Sequence, residues 1–328
     1  MLYKNIQFWN VEEILEREDG IEFLRIPERI RNKLNENAKN CALMPAGCEL
    51  RFNLKSQKCK IILKTNNHGI CEVYFGDFFF SWHLITKEPT TVEITYPQNI
   101  EKLEKLSKVN NLAFDSKIVR VILPHLTEVK IVDIEGDFEP PEQNQTPKIK
   151  YLAYGSSITQ GFTTIRPTGT YASKTAQLLN VDLINLGFGG GAHLEKEIAD
   201  YIAERNDWEF GTFELGINMV LWAEIDEFEK RVDYFIEKIV KEKPEKYLFF
   251  IDIFPFYMDF DNQEKQKKFR EIVKNKVKEI NKKNVIYISG FDILKNLKGL
   301  TIDLVHPSPF GMEEMAYNLA SILKKYLD

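Results

Sequence analysis

The chain has 328 residues, 44% of them hydrophobic and 28% charged, with a formal net charge of −5. That length exceeds what one ordinary core organises, so two domains are expected, and the composition excludes a disordered or fibrous chain. The acidic balance leaves no basic stripe for a polyanion, which argues against a nucleic-acid partner.

The N-terminus, MLYKNIQFWNVEEILERED, has no basic segment leading into an apolar one, and no run in the chain is long enough to cross a membrane. A cytoplasmic location with no membrane partner is the expectation. Cys41, Cys48, Cys59 and Cys71 all fall in the first quarter of the chain. With no other sign of export, they are expected to be reduced and buried. His68 precedes Cys71 by three residues, but no second ligand pair accompanies it, so a zinc site is not expected.

Up to about residue 135 apolar residues alternate with a period of two, the pattern of a half-buried sheet. Cys71, Val73 and Phe75 alternate with Glu72 and Tyr74, and Val92, Ile94 and Tyr96 with Thr91, Glu93 and Thr95. Val119, Val121 and Leu123 repeat the pattern before Pro124, and Val129 and Ile131 follow. Turn signals at Asn66–Gly69 and Gly76-Asp77 separate the runs, and one helix-like stretch spans Asn99 to Val109. Residues 1–138 therefore read as a β-sandwich, jelly-roll-like in its many short strands.

Residues 139–147, Glu139 to Pro147, are polar and proline-rich and read as a linker. From 148 to 328 the period changes. The apolar runs Ile149–Tyr154, Val181–Leu186, Phe210–Leu215, Tyr247–Ile253 and Val285–Ile288 alternate with helical patterns. One helix carries Phe228, Val232, Phe235 and Ile239, another Phe269, Val273, Val277 and Ile280, and the last Met312, Met315, Leu319 and Leu323. Continuous apolar strands alternating with helices predict an α/β domain, a five-stranded parallel sheet covered on both faces. Ligands of such sheets sit beyond the carboxyl ends of the strands.

Those ends carry Tyr154-Gly155-Ser156-Ser157-Ile158-Thr159, then Asn185-Leu-Gly-Phe-Gly-Gly-Gly-Ala192, then Glu214-Leu-Gly-Ile-Asn218. Asp303-Leu-Val-His306-Pro307 precedes the last helix. A serine hydroxyl is a weak nucleophile and needs an adjacent base. Ser157 at a strand-to-helix turn is the candidate nucleophile, His306 the base, and Asp303 the acid that orients the imidazole. The Ser157 and Gly190 N–H groups and the Asn218 amide are candidate oxyanion donors.

The four blocks resemble, in order, those of the SGNH (GDSL-type) hydrolases, with their flavodoxin-like sheet. The resemblance implies a metal-free, cofactor-free serine esterase. Three departures stand out. Ser156 replaces the aspartate usual before the nucleophile, removing a carboxylate from the loop. Met219 replaces an aspartate often found after the asparagine. Gly187, Gly189 and Gly191 compete with Gly190, which is chosen by its position five after Asn185. Some members also lack the acid of the triad, which leaves the need for Asp303 open.

A sandwich ahead of such a domain is similar to the two-domain carbohydrate acetylesterases. The expected activity is removal of acetyl groups from sugars or oligosaccharides. Lysophospholipase or thioesterase chemistry is the alternative. Trp222, Tyr257, His193 and, in the sandwich, Trp82 are candidate contacts for the small-molecule or oligosaccharide ester. Two readings from other classes remain. Gly187-Phe-Gly189-Gly-Gly-Ala192 matches a dinucleotide fingerprint with Asp207 downstream, and a non-catalytic carbohydrate-binding protein would leave the triad idle. The nine-residue junction is short for a free tether, so the two parts are expected to pack, with Trp82 and Phe78–Phe80 as the docking surface.

Overall fold

Strands that alternate apolar and polar residues must bury one face, and in the first half they do so against each other. The computed structural model describes residues 1–261 and 263–327. Its first antiparallel sheet runs, in spatial order, Leu2–Tyr3, Ile6–Trp9, Glu49–Leu54, Ile118–Ile122, Gly69–Phe75 and Phe78–Ile85, with Phe138–Glu139 also paired to Glu49–Leu54. The second runs Glu13–Arg17, Gly20–Leu24, Val129–Glu135, Lys58–Thr65 and Thr90–Thr95. Val73, Val121, Ile61 and Val92 meet in one core between them. All four cysteines are free and buried, and burial pushes the Cys48 thiol up to about 12, far from a reactive thiolate.

The alternation fails where the first sheet is covered on its second face as well. Ile118–Ile122 is buried at every position, and Arg51 and Glu72 are wholly buried. Their partners lie in the second half of the chain. Arg51 donates to both oxygens of Asp182, at 2.6 and 2.7 Å, and to Glu49 at 2.8 Å. Arg120 holds the other side of Glu49, at 2.6 and 2.8 Å. Burial opposes ionisation of Glu49, but the two guanidinium groups outweigh it and hold the carboxyl down to about 2. Thr168 donates to Glu72 through its N–H and its hydroxyl, and the Trp9 indole donates to the Leu183 carbonyl at 2.6 Å. Such desolvated pairs tolerate only one arrangement, so they set how the halves meet more than how strongly.

The aromatic docking surface expected at Trp82 and Phe78–Phe80 is elsewhere. Phe78–Ile85 is an edge strand, and Phe79, Phe80, Trp82 and Leu84 are exposed on it. Charged side chains with buried partners form part of the junction instead. The polar segment after the second sheet is also packed: Gln145 and Asn53 exchange amide hydrogen bonds at 2.8 and 3.0 Å.

Two short helices, Glu28–Arg31 and Glu36–Cys41, were not foreseen among the strands. Ile30, Leu34, Ala38 and Cys41 pack into the core of the second half, not the sandwich.

In that half the five parallel strands lie in the order Asp182–Gly187, Lys150–Gly155, Phe210–Glu214, Tyr247–Ile251 and Val285–Ile288. Helices Lys196–Glu204, Ile225–Glu242 and Lys265–Ile280 cover one face, and Tyr171–Leu179 and Pro309–Leu327 the other. Burial on both faces explains the unbroken apolar runs. The first strand is flanked by the second and third, so the chain crosses over it and opens a crevice at its carboxyl end. No described helix is long and apolar enough to cross a membrane.

Candidate active site

Ser157 begins a four-residue helix, Ser157–Gln160, directly after the central strand. Ser156 is its N-cap, the hydroxyl accepting from Ile158 N at 3.1 Å. The same hydroxyl donates to Glu214 at 2.7 Å, and the Ser156 N–H and Thr159 hydroxyl also reach that carboxylate, each at 2.8 Å. The carboxylate that Ser156 removes from the loop is thus supplied by the end of the neighbouring strand. Burial raises the Glu214 pKa, against the pull of the bonds from Ser156 and Thr159. Gly155 must lack a side chain here: a Cβ would stand 2.4 Å from Glu214 Oε2 and 2.3 Å from Thr159 Oγ1.

His306 reaches the turn from the far end of the chain. Its Nε2 lies 2.8 Å from Ser157 Oγ, and its Nδ1 lies 2.7 Å from Asp303 Oδ2. Leu304 adopts a left-handed φ of 54°, which folds Asp303 back on His306. Asp303 Oδ1 then accepts from Thr301 Oγ1, Val305 N and His306 N at 2.7 to 2.9 Å. Partial burial works against the ionised form, but these bonds prevail and hold the carboxyl well below the usual carboxylate range. Phe162 packs on the imidazole, with ring centroids 4.6 Å apart.

Gly190 and Asn218 border the same cavity as Ser157. The Asn218 oxygen accepts from Ala192 N at 3.1 Å, which turns its amide nitrogen the other way. Among the glycines, Gly187 N donates to Asn185, Gly189 N to Gln160 and Gly191 N to Phe188, at 2.8 to 2.9 Å. The N–H groups of Gly190 and Ser157 have no acceptor among the described residues. Of the four loop glycines, only Gly190 has its N–H left without an acceptor among the described residues, an arrangement that suits a tetrahedral oxyanion.

A cavity of about 540 Å³ opens over these groups, bounded by Ser157, Gly190, Asn218 and His306 and otherwise largely by apolar side chains. Trp222 and Tyr257 are among the residues that line it. His193 stands behind, its ring 4.9 Å from that of Trp222, and burial lowers its pKa. Trp82, on the exposed edge strand, is not among the lining residues. Several other lining residues were not singled out from the sequence, among them Met44, Leu126 and Gln160. Met44 and Leu126 sit in loops with no motif to mark them, and Gln160 is an unremarked position one turn past the serine. Asp207, the candidate ribose acid, is engaged by Arg205 at 2.7 and 2.9 Å. Among the described residues no cluster of three or more His, Cys, Asp or Glu side chains is placed to hold a metal ion.

Residues 148–324 match the model of the GDSL-like lipase/acylhydrolase family. The chain belongs to that family. It is accordingly an ester hydrolase. No curated protein matches it by sequence. Its fold is similar over nearly the whole length to several solved structures. One is the salicylyl-acyltransferase SsfX3 of a tetracycline biosynthetic pathway, at 16% identity and a TM-score of 0.82, covering 98% of this chain and 96% of that one. A family two carbohydrate esterase from Clostridium thermocellum shares 14% identity at a TM-score of 0.65, covering 98% and 99%. The acetyl xylan esterase Est2A from Butyrivibrio proteoclasticus shares 12% at 0.61, covering 100% and 97%.

Proposed function

We propose that the protein cleaves carboxylic esters through an acyl-enzyme on Ser157. The observation that carries this reading is the unbroken relay from Ser157 to His306 to Asp303, at 2.8 and 2.7 Å, opening into a cavity. Ser157 Oγ attacks the ester carbonyl carbon while its proton passes to His306 Nε2. Asp303 stabilises the imidazolium that forms. The carbonyl oxygen, now negative, is held by the Ser157 and Gly190 N–H groups and the Asn218 amide. Collapse breaks the ester C–O bond, and His306 returns the proton to the departing alkoxide. Water, deprotonated by the same imidazole, then attacks the acyl carbon; collapse breaks the acyl C–Oγ bond as His306 returns the proton to Ser157, and the acid is released. Residues 148–328, with the helices at 28–41 packed into their core, are proposed as the catalytic unit, 139–147 as the junction, and the strands of 1–138 as an accessory domain of jelly-roll type.

The cavity walls favour a bulky apolar group on the ester. Leu126, Ile217, Leu221 and Phe256 have side chains with no polar atoms for a sugar's hydroxyls, and burying apolar ligand surface is worth about 25 cal/mol per Å². The acetylated saccharide is the second reading. The exposed Trp222 at the cavity mouth and the whole-length likeness to carbohydrate esterases favour it. Comparing p-nitrophenyl octanoate, p-nitrophenyl acetate and acetylated xylo-oligosaccharide decides between them. The first reading expects the highest kcat/KM on octanoate. Preference for the saccharide would overturn it, and turnover by Ser157→Ala would overturn the mechanism itself.

A further inference from the structure

The loop Gly187–Gly191 has one side chain, so its shape must be imposed by what surrounds it. Four of its carbonyls are held from outside. Gly187 O accepts from Arg25 Nη2 at 2.9 Å, Gly189 O from Cys41 Sγ at 3.4 Å, Gly190 O from Asn37 Nδ2 at 3.0 Å, and Gly191 O from Asn35 Nδ2 at 2.9 Å. All four donors come from residues 25–41, the stretch with the two unforeseen helices. The approach is close: a Cβ on Gly191 would stand 2.5 Å from Ala38 N. Arg25 is wholly buried, pairs with no carboxylate among the described residues, and also donates to the carbonyls of Asn185, Met44 and Cys41. A cation so placed is costly unless every donor is used.

A trans peptide points its C=O and N–H in opposite directions, and the chain has no cis bond among the described residues. The peptide that presents Gly190 N–H is the one whose carbonyl belongs to Gly189. Holding Gly189 O against Cys41 and Gly190 O against Asn37 therefore fixes both peptide planes around the oxyanion donor. A hydrogen bond accepted at the carbonyl also polarises the N–H of the same peptide. We infer that residues 25–41 form a cradle that orients the oxyanion loop, with Asn37 and Cys41 as positioning residues for Gly190 N–H. The inference rests on the proposed role of Gly190 as an oxyanion donor. It assigns catalytic consequence to a segment outside the matched family region.

Asn37 is exposed on its helix, so changing it leaves the core untouched. Asn37→Asp sets an acceptor against the Gly190 carbonyl, and Asn37→Ala removes the donor. Complete loss of an oxyanion donor costs about 10²–10³ in turnover, so misaiming one should lower kcat about tenfold or more, with KM within about twofold. The inhibition constant of an alkyl trifluoromethyl ketone, whose Ser157 adduct bears the oxyanion, should rise by the same factor, with no loss of Tm. Cys41→Ala should behave similarly and Cys41→Ser, which restores a donor, should recover activity. Unchanged kcat and ketone inhibition in Asn37→Asp would overturn the cradle; if Cys41→Ala is insoluble, the Asn37 variants decide alone. Failure of the underlying reading gives a different result, namely activity retained by Ser157→Ala or Asn218→Ala.

Discussion

Asp303→Asn separates a working triad from a Ser–His pair. The carboxylate meets His306 Nδ1 at 2.7 Å, which puts the charge centres of Asp303 and an imidazolium about 4 Å apart, worth about 1 kcal/mol in bulk water and about 4 kcal/mol near a protein surface. The Asp303 side chain is 44% exposed, so the value falls between those limits rather than at the higher figures of a buried pair. The substitution has a second effect. The new amide would still accept from Val305 N and His306 N through its oxygen, leaving its NH2 to face Nδ1. That favours the tautomer protonated on Nε2, which cannot take the serine proton. With each 1.36 kcal/mol worth a factor of ten, kcat should fall about 10- to 10³-fold. Because the imidazolium exists mainly in the transition state, KM should hardly move. Steady-state hydrolysis of a p-nitrophenyl ester measures both. A loss of kcat below about tenfold would refute the argument and assign the orientation of His306 to its backbone turn.

A fluorophosphonate should label Ser157 alone. The neighbouring Ser156 is engaged with Glu214 at 2.7 Å, and label found there or on Ser173 by peptide mass spectrometry would displace the nucleophile. Asp252 gives a pH signature in stability. Burial raises its pKa to about 6 despite hydrogen bonds from Tyr287 and Gly290. The unfolded chain loses that proton near 3.8 while the folded one keeps it, so Asp252 erodes stability as pH rises from about 4 to about 6 and no further. Asp252→Asn should remove that slope from urea midpoints measured across the window. An identical slope in both proteins would contradict it.

The features legible in the sequence are those that local pattern carries. Five apolar runs are long enough to show burial on both faces, and the sheet forms from those segments. Ser157, Asn218 and the Asp303–His306 turn stand at strand or helix ends, where a parallel sheet gathers its ligands. Other features depend on contacts distant in the chain. The helices at 28–31 and 36–41 span four and six residues, too short for a 3.6-residue period to appear, so residues that pack beneath the oxyanion loop read as part of a sandwich. Glu214 looks like an ordinary strand residue until folding places it under Ser156. Trp222 and Trp82 are the same side chain, yet one lines the cavity and the other lies on an exposed edge strand. A residue's type states what chemistry it can do. Which glycine N–H stays free, which face of a sheet is covered and which carboxylate meets an arginine are decided only when segments as far as 193 residues apart are brought into contact.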